Sequence, residues 1–363
     1  MLENKYKFES VNDFLSHLTV VEDNTLWERV NVDQIEFAED PTANPFVAFG
    51  GNEFKCVTIT YNGGMTYIPW ATTALTSVLN RCEISGKGIE RLFSANKREF
   101  CALLNSTIHL VDKGQREMLA LVREDRLGAL HSGRYTQISE KLLYKIAEEY
   151  LDGFEYHTLK EAEWTPELVS ASYVIEDNDL LKAYKKILGT NLLRSAEFGI
   201  KVYTSDVAES AAIATPQLTA EGVYLPLLGG RGVAHKGEVT DERLKAMFYG
   251  AFTAFEASFR SLAALADIKI RNKKNAMIKA FTAIKFPQKY CVKLCEKYDN
   301  TPTNALDVYM SMAEALTAVR KGGMQKALIY EECFCKLLMY TSQQWNSFDV
   351  PGVVAWGAKA RTI

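Results

Sequence analysis

The chain has 363 residues, of which 47% are hydrophobic and 24% charged, and its formal net charge is −3. This composition is typical of a globular protein with one large domain or two of ordinary size, and it argues against long disordered linkers. Its apolar runs are too short for a membrane span and its first ten residues lack a signal-peptide pattern, so we expect a cytoplasmic protein.

The charge is unevenly distributed along the chain. Residues 1–40 contain ten Asp or Glu and three Lys or Arg, a balance of −7. Residues 268–297 contain nine Lys or Arg and one Glu, a balance of +8. This asymmetry favours either a basic surface for a polyanion or attraction between the subunits of a homo-oligomer.

Residues 1–40 are predicted to form an acidic N-terminal arm that includes a short helix, because apolar residues recur at helical spacing from Val11 to Leu18. A β-hairpin follows, in which two alternating runs flank a turn at Asn62–Gly64. Pro69 should end its second strand. The hairpin lies at the start of a predicted α/β core over residues 41–240.

Two helices are predicted after the hairpin, the second of them with Ser94 as its N-cap. The run Glu117–Glu124 predicts a strand, and the periodic stretch Ile138–Leu151 predicts a helix capped by Ser139. The apolar side of that helix is predicted to carry Leu142, Leu143, Ile146 and Leu151.

The middle of the chain is rich in predicted strands, with one short helix, NDLLKAYKKIL, between the first two. Residues 241–345 form a predicted helical region, with a long helix from about Thr240 to Ala266 and three more after Pro287, Pro302 and Gly323. Residues 346–363 form a tail. Because strands and helices do not alternate regularly, the predicted fold class is α+β: a mixed or antiparallel sheet core with hairpins, followed by a mostly helical C-terminal third.

Two short motifs carry a resemblance to a known family. The stretch ALHSGRYTQIS, with Arg134 and Tyr135, is similar to a signature of the phage/plasmid-like protein family of unknown function. The stretch VYTSDVAESAA, with Ser205 and Asp206, resembles a second motif of that family, which has Gly where this chain has Ala208.

Two later segments extend the resemblance, so that it covers roughly residues 130–316. VAHKG resembles a basic segment of the family, and NALDVYMSMAEAL resembles a late helix in which Met310 replaces the usual Asn. The resemblance implies a protein of phages or mobile elements, and it implies no agreed activity.

The glycine-rich stretch LLGGRGVAHKG, residues 227–237, matches neither the P-loop nor the dinucleotide-binding pattern. It is interpreted either as a tight hairpin joining GVYLPLL to GVAH or as a flexible loop that presents Arg231, His235 and Lys236 to phosphates.

The basic segment is the main candidate for contact with nucleic acid, and its candidate residues are Arg271, Lys273, Lys274, Lys279, Lys285, Lys289, Lys293 and Lys297. After Pro287, the spacing of Lys289, Lys293 and Lys297 predicts one stripe of lysines along a helix. Like charges at this spacing repel each other, which is unfavourable unless an anion compensates. The alternatives are a solvated face, a surface that follows phosphates, with Tyr290 and Tyr298 stacking on bases, or a contact with a neighbouring acidic arm.

The remaining polar residues give no catalytic signature. Asp206 at a strand end is interpreted as a turn residue or as an unpaired functional carboxylate, and Arg134 as a phosphate ligand or the partner of a buried carboxylate. The seven cysteines and five histidines form no metal-binding pattern, so no metal and no cofactor are predicted.

These observations predict a phage or mobile-element protein that binds nucleic acid without catalysis. The predicted ligand includes single-stranded DNA in recombination, annealing or replication, and the predicted state is a homo-oligomer. The alternative is a protein-interaction factor, such as an inhibitor of a host defence system. An enzyme with a dispersed active site is the third hypothesis.

Overall fold

The structure is a computed structural model. It describes residues 5–39, 48–49, 52–53, 57–61, 65–69, 72–110, 116–124, 126–189, 193, 195–207, 210–320 and 324–356.

The strands are β1 (Tyr6–Phe8), β2 (Thr25–Asn31), β3 (Glu36–Glu39), β4 (Ala48–Phe49), β5 (Asn52–Glu53), β6 (Val57–Tyr61), β7 (Met65–Pro69), β8 (Glu117–Arg123), β9 (Arg126–Ser132), β10 (Tyr156–Trp164), β11 (Val169–Glu176), β12 (Ala196–Thr204), β13 (Ala212–Ala220), β14 (Val223–Pro226), β15 (Arg231–Val233), β16 (Lys269–Ile270) and β17 (Thr303–Asn304).

The α-helices are α1 (Val11–Asp23), α2 (Thr72–Arg81), α3 (Lys87–Ala95), α4 (Lys97–Ile108), α5 (Glu140–Leu151), α6 (Asn178–Leu188), α7 (Asp241–Ala266), α8 (Lys273–Ala283), α9 (Gln288–Cys295), α10 (Ala305–Arg320), α11 (Met324–Cys335) and α12 (Ser342–Asn346). Short 3-10 helices occur at Val32–Gln34 and Lys336–Met339.

The larger of two main sheets is antiparallel throughout and has the strand order β1-β10-β11-β12-β13-β14, with β15 also paired to β13. Helices cover both of its faces, and side chains of β12 contact helices on each face. The ring of Phe198 packs against aromatic rings of α6 and α7. Lys201, on the opposite face, is fully buried and lies 3.3 Å from the carboxylate of Glu331 in α11, which also binds Arg320. Burial on both faces explains the long apolar runs of these strands.

The second sheet has the strand order β2-β8-β9-β7-β6-β3 and is antiparallel except for the parallel contact of β7 with β9. Its core is separate from that of the larger sheet. It is formed with α2, α3 and α4, whose side chains Leu75, Phe93 and Phe100 are buried in it. The α+β prediction is confirmed, with antiparallel pairing dominating both sheets and α7 to α12 making the C-terminal region helical.

The segment predicted as an acidic arm is built into both sheets. β1 is an edge strand of the larger sheet, where it pairs with β10, and β2 is an edge strand of the second sheet, where it pairs with β8. Between them, α1 buries Phe14 and Leu18 in the core that it shares with α5. Glu22 accepts hydrogen bonds at the start of α5 from the Ser139 hydroxyl at 2.5 Å and the Lys141 amide at 3.1 Å. One acidic residue therefore stabilises a helix N-terminus.

Several local predictions are confirmed and two are wrong. The Ser139 hydroxyl caps α5, as its sequence pattern predicted. The Thr240 hydroxyl caps α7, which begins close to the predicted position. Ser94 is not an N-cap, because it lies inside α3, and Asn96 caps α4 instead. Leu142 does not join the core, since 39% of its surface is exposed. The predicted turn at 62–64 lies outside the described residues, although β6 and β7 on either side of it do pair.

The glycine-rich stretch does not form the predicted hairpin. β14 and β15 do not pair with each other but lie one after the other along the same edge of β13. Between them the backbone passes close to α7 at Gly229, where φ is +98° and an added Cβ would lie 2.0 Å from the Cβ of Ala254. Only glycine fits this position, so packing against α7 explains part of the glycine content.

Among the helices within the described ranges, none combines the length and apolarity that a bilayer crossing requires.

Candidate anion-binding cleft between the sheets

A cavity of about 470 Å³ opens where the second sheet meets the segment that follows β15. We call it the junction cleft. It is lined by Arg29, Arg81, Glu117, Ser132, Gly133, Arg134, Tyr135, His235 and Lys236. The structure thus brings together residues from the first family-like motif and from the glycine-rich stretch, a hundred positions apart in the chain.

The turn after β9 positions the first of these motifs. The amide of Gly133 donates a hydrogen bond to the Glu117 carbonyl at 2.9 Å, and an added Cβ on Gly133 would lie 2.6 Å from that oxygen. Glycine is therefore required for the chain to turn this close to β8. The turn closes with a bond from the Tyr135 amide to the Ser132 carbonyl, which directs Arg134 outward and Tyr135 inward.

The glycine-rich stretch pairs with this turn. The Thr136 amide donates to the His235 carbonyl at 3.0 Å, and the Thr136 hydroxyl donates to the Gly237 carbonyl at 2.6 Å. Tyr135 and Lys236 form an isolated antiparallel bridge between these bonds. His235 and Lys236 are thus held by backbone contacts beside Tyr135, and they do not sit on a free loop.

Four aromatic rings stack beside the cleft, and two of them, Tyr135 and His235, line it. The rings of His131 and Tyr135 are stacked at 3.8 Å between centroids, and those of Tyr135 and His235 at 4.9 Å. Trp27 stacks nearby, 5.6 Å from Tyr135. We call Trp27, His131, Tyr135 and His235 the ring stack. Their nearly parallel planes make a rigid surface of the kind on which flat ligands bind.

Both histidines of the ring stack are neutral at pH 7. The Nδ1–H of His235 donates to the Thr136 carbonyl at 3.2 Å, and its Nε2 accepts from the Thr204 hydroxyl at 3.3 Å. The Nε2–H of His131 donates to the Asp206 carbonyl at 2.8 Å. Burial lowers the pKa of each imidazole to about 4, because the charged form loses its hydration.

The charge of the cleft therefore comes from arginine and lysine. Arg29 forms an ion pair with Glu117 across the β2–β8 pair. Arg81, Arg134 and Lys236 form no ion pair with any carboxylate in the described part of the chain. Four cations against one carboxylate leave a net charge of +3 around the cavity.

A buried ion pair lies next to the ring stack and is connected to it by hydrogen bonds. Arg123 of β8, 3% exposed, donates to the carboxylate of Asp206, 7% exposed, at 2.6 Å and to the Thr25 hydroxyl at 2.7 Å. Asp206 follows β12, so this pair connects the two sheets. The Asp206 carbonyl also accepts from the Tyr135 hydroxyl at 3.3 Å.

These contacts decide two of the alternatives that the sequence left open. Asp206 positions the ring stack and does not face the cavity, and its partner is Arg123, whereas Arg134 is exposed at the rim. Ser205 beside it is also structural, because its hydroxyl donates to the Glu167 carbonyl at 2.6 Å.

A second buried carboxyl group, Glu140, lies next to this ion pair. It is 3% exposed and accepts a hydrogen bond from the Trp164 indole at 3.3 Å. Burial, with the charge of Asp206, raises the pKa of Glu140 well above its usual value, and burial raises the pKa of Asp206 as well. Arg123 lies 2.6 Å from the Asp206 carboxylate and stabilises its charge, so we place a proton on Glu140.

The three lysines that were predicted to form one stripe do not lie in a continuous row. α9 ends at Cys295, so Lys297 lies beyond the helix, and its Nζ is 3.7 Å from a Glu314 oxygen. Lys273 is paired as well, 2.7 Å from the Asp307 carboxylate. Tyr290 and Tyr298 are half-buried and pack against the main core, so their rings are not free to stack on bases.

The other basic residues of the segment form no ion pair among the described residues: Lys269, Arg271, Lys274, Lys279, Lys285, Lys289 and Lys293. Arg231 lies away from His235 and Lys236, packed beside Gly250 of α7. The basic segment thus keeps a reduced positive surface, while the convergent cations lie in the junction cleft.

Sequence reasoning missed Trp27, Arg29, Arg81 and Arg123 as parts of this site. One signal was present, because Trp27 and Arg29 are two positions apart and so lie on the same face of a strand. Their meeting with Tyr135 and His235 depends on long-range strand pairing, which local patterns do not encode.

The fold and the cleft define an α+β protein with a positively charged cavity at the junction of two sheets. No family model matches the chain, and comparison with curated proteins and with solved structures found no match. The resemblance to the phage/plasmid-like family therefore stays a prediction.

Proposed function

We propose that the protein binds nucleic acid and that the junction cleft is its principal contact. The observation that carries the proposal is the excess of three positive charges around a cavity that is also lined by the stacked, neutral rings of Tyr135 and His235. Phosphate backbones are bound by lysine and arginine, and unpaired bases stack on aromatic side chains. The cleft offers both kinds of group within one cavity.

The rigidity of the cleft supports the same proposal. Tyr135 and His235 are fixed by backbone pairing and by hydrogen bonds at both imidazole nitrogens, so little conformational entropy is lost when a base stacks on them. The unpaired cations of the basic segment would raise the rate of association by attracting an anionic strand from solution.

For such nucleic-acid binding we propose a role in recombination, annealing or replication, without catalysis. We also propose a homo-oligomer. A mass measurement in solution, with and without an oligonucleotide, tests this part, and a monomer under both conditions would contradict it.

The cleft is tested by titrating fluorescent single-stranded and duplex DNA at two salt concentrations. Arg134→Ala with Lys236→Ala removes two exposed cations and should weaken binding by at least about tenfold, with a shallower salt dependence, since each lost phosphate contact reduces the slope by about one. Lys185→Ala with Lys186→Ala is the matched control, because it removes two exposed lysines of α6.

A third double variant, Lys289→Ala with Lys293→Ala, compares the cleft with the lysine stripe. We expect it to bind within a few-fold of the wild type. If it loses binding while the cleft variant does not, the cleft is not the principal contact. If neither form of DNA binds the wild-type protein, the nucleic-acid proposal is overturned and the protein-interaction alternative takes its place.

A further inference from the structure

The size of the junction cleft restricts what can enter it. At about 470 Å³ it falls within the range of roughly 300–1,000 Å³ that is usual for small-molecule pockets. A cavity of this size admits one nucleotide, whereas a base-paired duplex presents only its grooves and backbone. The ligand group that fits is therefore an unpaired nucleotide.

The arrangement of charge distinguishes between the phosphates of such a nucleotide. A phosphodiester within a strand carries a single negative charge, and a groove that follows a strand needs cations spaced along it. Here Arg29, Arg81, Arg134 and Lys236 surround one cavity, with a net charge of +3 after Glu117 is counted. A phosphate monoester carries about −1.5 to −2 at pH 7 and matches this concentration of charge better.

The chemistry of the cations fits the same group. A terminal monoester has three non-bridging oxygens, and guanidinium groups bind such oxygens through two parallel hydrogen bonds. Arg81 and Arg134 approach the cavity from α2 and from the turn after β9, and neither is engaged by a carboxylate among the described residues. Two guanidinium groups from different elements thus line one cavity.

The ring stack supplies the place for the base. His235 is the last ring of the stack: within the described chain its one stacking partner is Tyr135, and its other face has no aromatic neighbour. Both His235 and Tyr135 line the cavity, and both rings are uncharged at pH 7. A nucleobase can therefore continue the stack while its phosphate meets the cations at the rim.

We infer that the junction cleft receives the end of a single strand, with the terminal phosphate monoester held by Arg81, Arg134 and Lys236 and the terminal base stacked on His235. This inference rests on the proposed nucleic-acid binding. It adds that recognition is of a phosphorylated strand end and not of internal phosphates.

The test compares four single-stranded DNA probes of equal sequence: one with a 5′-phosphate, one with a 3′-phosphate, one with hydroxyls at both ends, and a covalently closed circle. We expect one of the phosphorylated linear probes to bind at least about tenfold more tightly than the hydroxyl-ended probe and the circle. Inorganic phosphate and a nucleoside monophosphate should displace the preferred probe.

Variants test whether the preference for a phosphorylated end depends on the junction cleft. Arg134→Ala with Lys236→Ala should abolish the difference between phosphorylated and hydroxyl-ended probes, and Lys185→Ala with Lys186→Ala should retain it. His235→Ala should lower the affinity for the nucleoside monophosphate but not that for inorganic phosphate. Equal binding of the circle and all linear probes would overturn the inference while leaving nucleic-acid binding intact, and failure of every probe to bind would overturn both.

Discussion

At the scale of single residues, Asp206 shows how a motif residue serves a site without facing its ligand. Its carboxylate holds Arg123, and its backbone carbonyl receives hydrogen bonds from His131 and Tyr135. The sequence placed Asp206 at the end of a strand, which is correct. The identity of its partner could not be predicted, because Arg123 lies 83 positions earlier and reaches it only when the two sheets meet.

Glu140 leads to a prediction about pH. Because its pKa is raised in the fold, the folded protein keeps a proton that the unfolded chain releases above pH 4.5, so this group's stabilisation is lost as the pH rises towards the folded pKa. Glu140→Gln keeps a neutral hydrogen-bond donor. Because glutamine does not ionise, its contribution to stability does not fall as the pH rises. Relative to wild type, the variant should therefore gain unfolding free energy between pH 5 and pH 9, by about 1.4 kcal/mol per unit of pKa shift.

The measurement is urea unfolding across that pH range, with Glu149→Gln on the exposed side of α5 as the control. The buried histidines act in the opposite sense, since their lowered pKa values give stability that is lost as the pH falls from 6.5 towards about 4. Taking the difference between variant and wild type removes their contribution. Parallel pH profiles for Glu140→Gln and wild type would show that Glu140 is ionised in the folded protein.

At the scale of elements, the sequence was most informative where the signal was local. The helix α5 was predicted with its capping residue Ser139, because the cap and the apolar periodicity lie within a few positions of each other. The helix α7 was predicted with nearly its observed bounds. The glycine-rich stretch was misread because its cause is not local. Its glycines fit the backbone against α7, and hairpin signals cannot be distinguished from such contacts by composition.

Gly229 provides the test of this explanation. Gly229→Ala should lower the free energy of unfolding by roughly 2–3 kcal/mol, because the new Cβ both strains a positive φ and displaces Ala254. Gly237→Ala is the matched control: its φ is +73°, but no atom lies within 4 Å of the added Cβ, so it should cost only about 1 kcal/mol. Equal losses in chemical denaturation would mean that close packing on α7 does not matter.

At the scale of the whole molecule, the fold class followed from the order of the elements, whereas the cleft did not. Its wall and rim come from β2, α2, β8, the turn after β9 and the segment after β15. None of these elements predicts a site by itself. Their charged side chains come together around one cavity only after the second sheet has formed. The basic segment was predicted as the nucleic-acid contact because its positive residues lie close together in sequence. In the fold, α10 neutralises part of that charge.

The placement of the first 39 residues gives a prediction at the same scale. A chain that lacks them loses β1, α1, β2 and β3, with edge strands of both sheets and Trp27 of the ring stack. We expect it to be unfolded or aggregated by circular dichroism and gel filtration. Glu9→Gln with Asp23→Asn, which reduces the acidic charge but keeps every strand, should fold normally. A folded, monodisperse truncated chain would show that the segment is a dispensable arm.

The position of β1 and β2 also constrains how the protein is made. Both strands are translated before their partners: β2 pairs with residues 117–123 and Tyr6 pairs with Trp164, so both must wait unpaired while most of the two sheets is still being translated. A strand edge with unpaired backbone N–H and C=O groups on a nascent chain can pair with a wrong strand. The charge balance of −7 over residues 1–40 gives repulsion between such edges on neighbouring nascent chains, which disfavours wrong pairing before the partner strands exist.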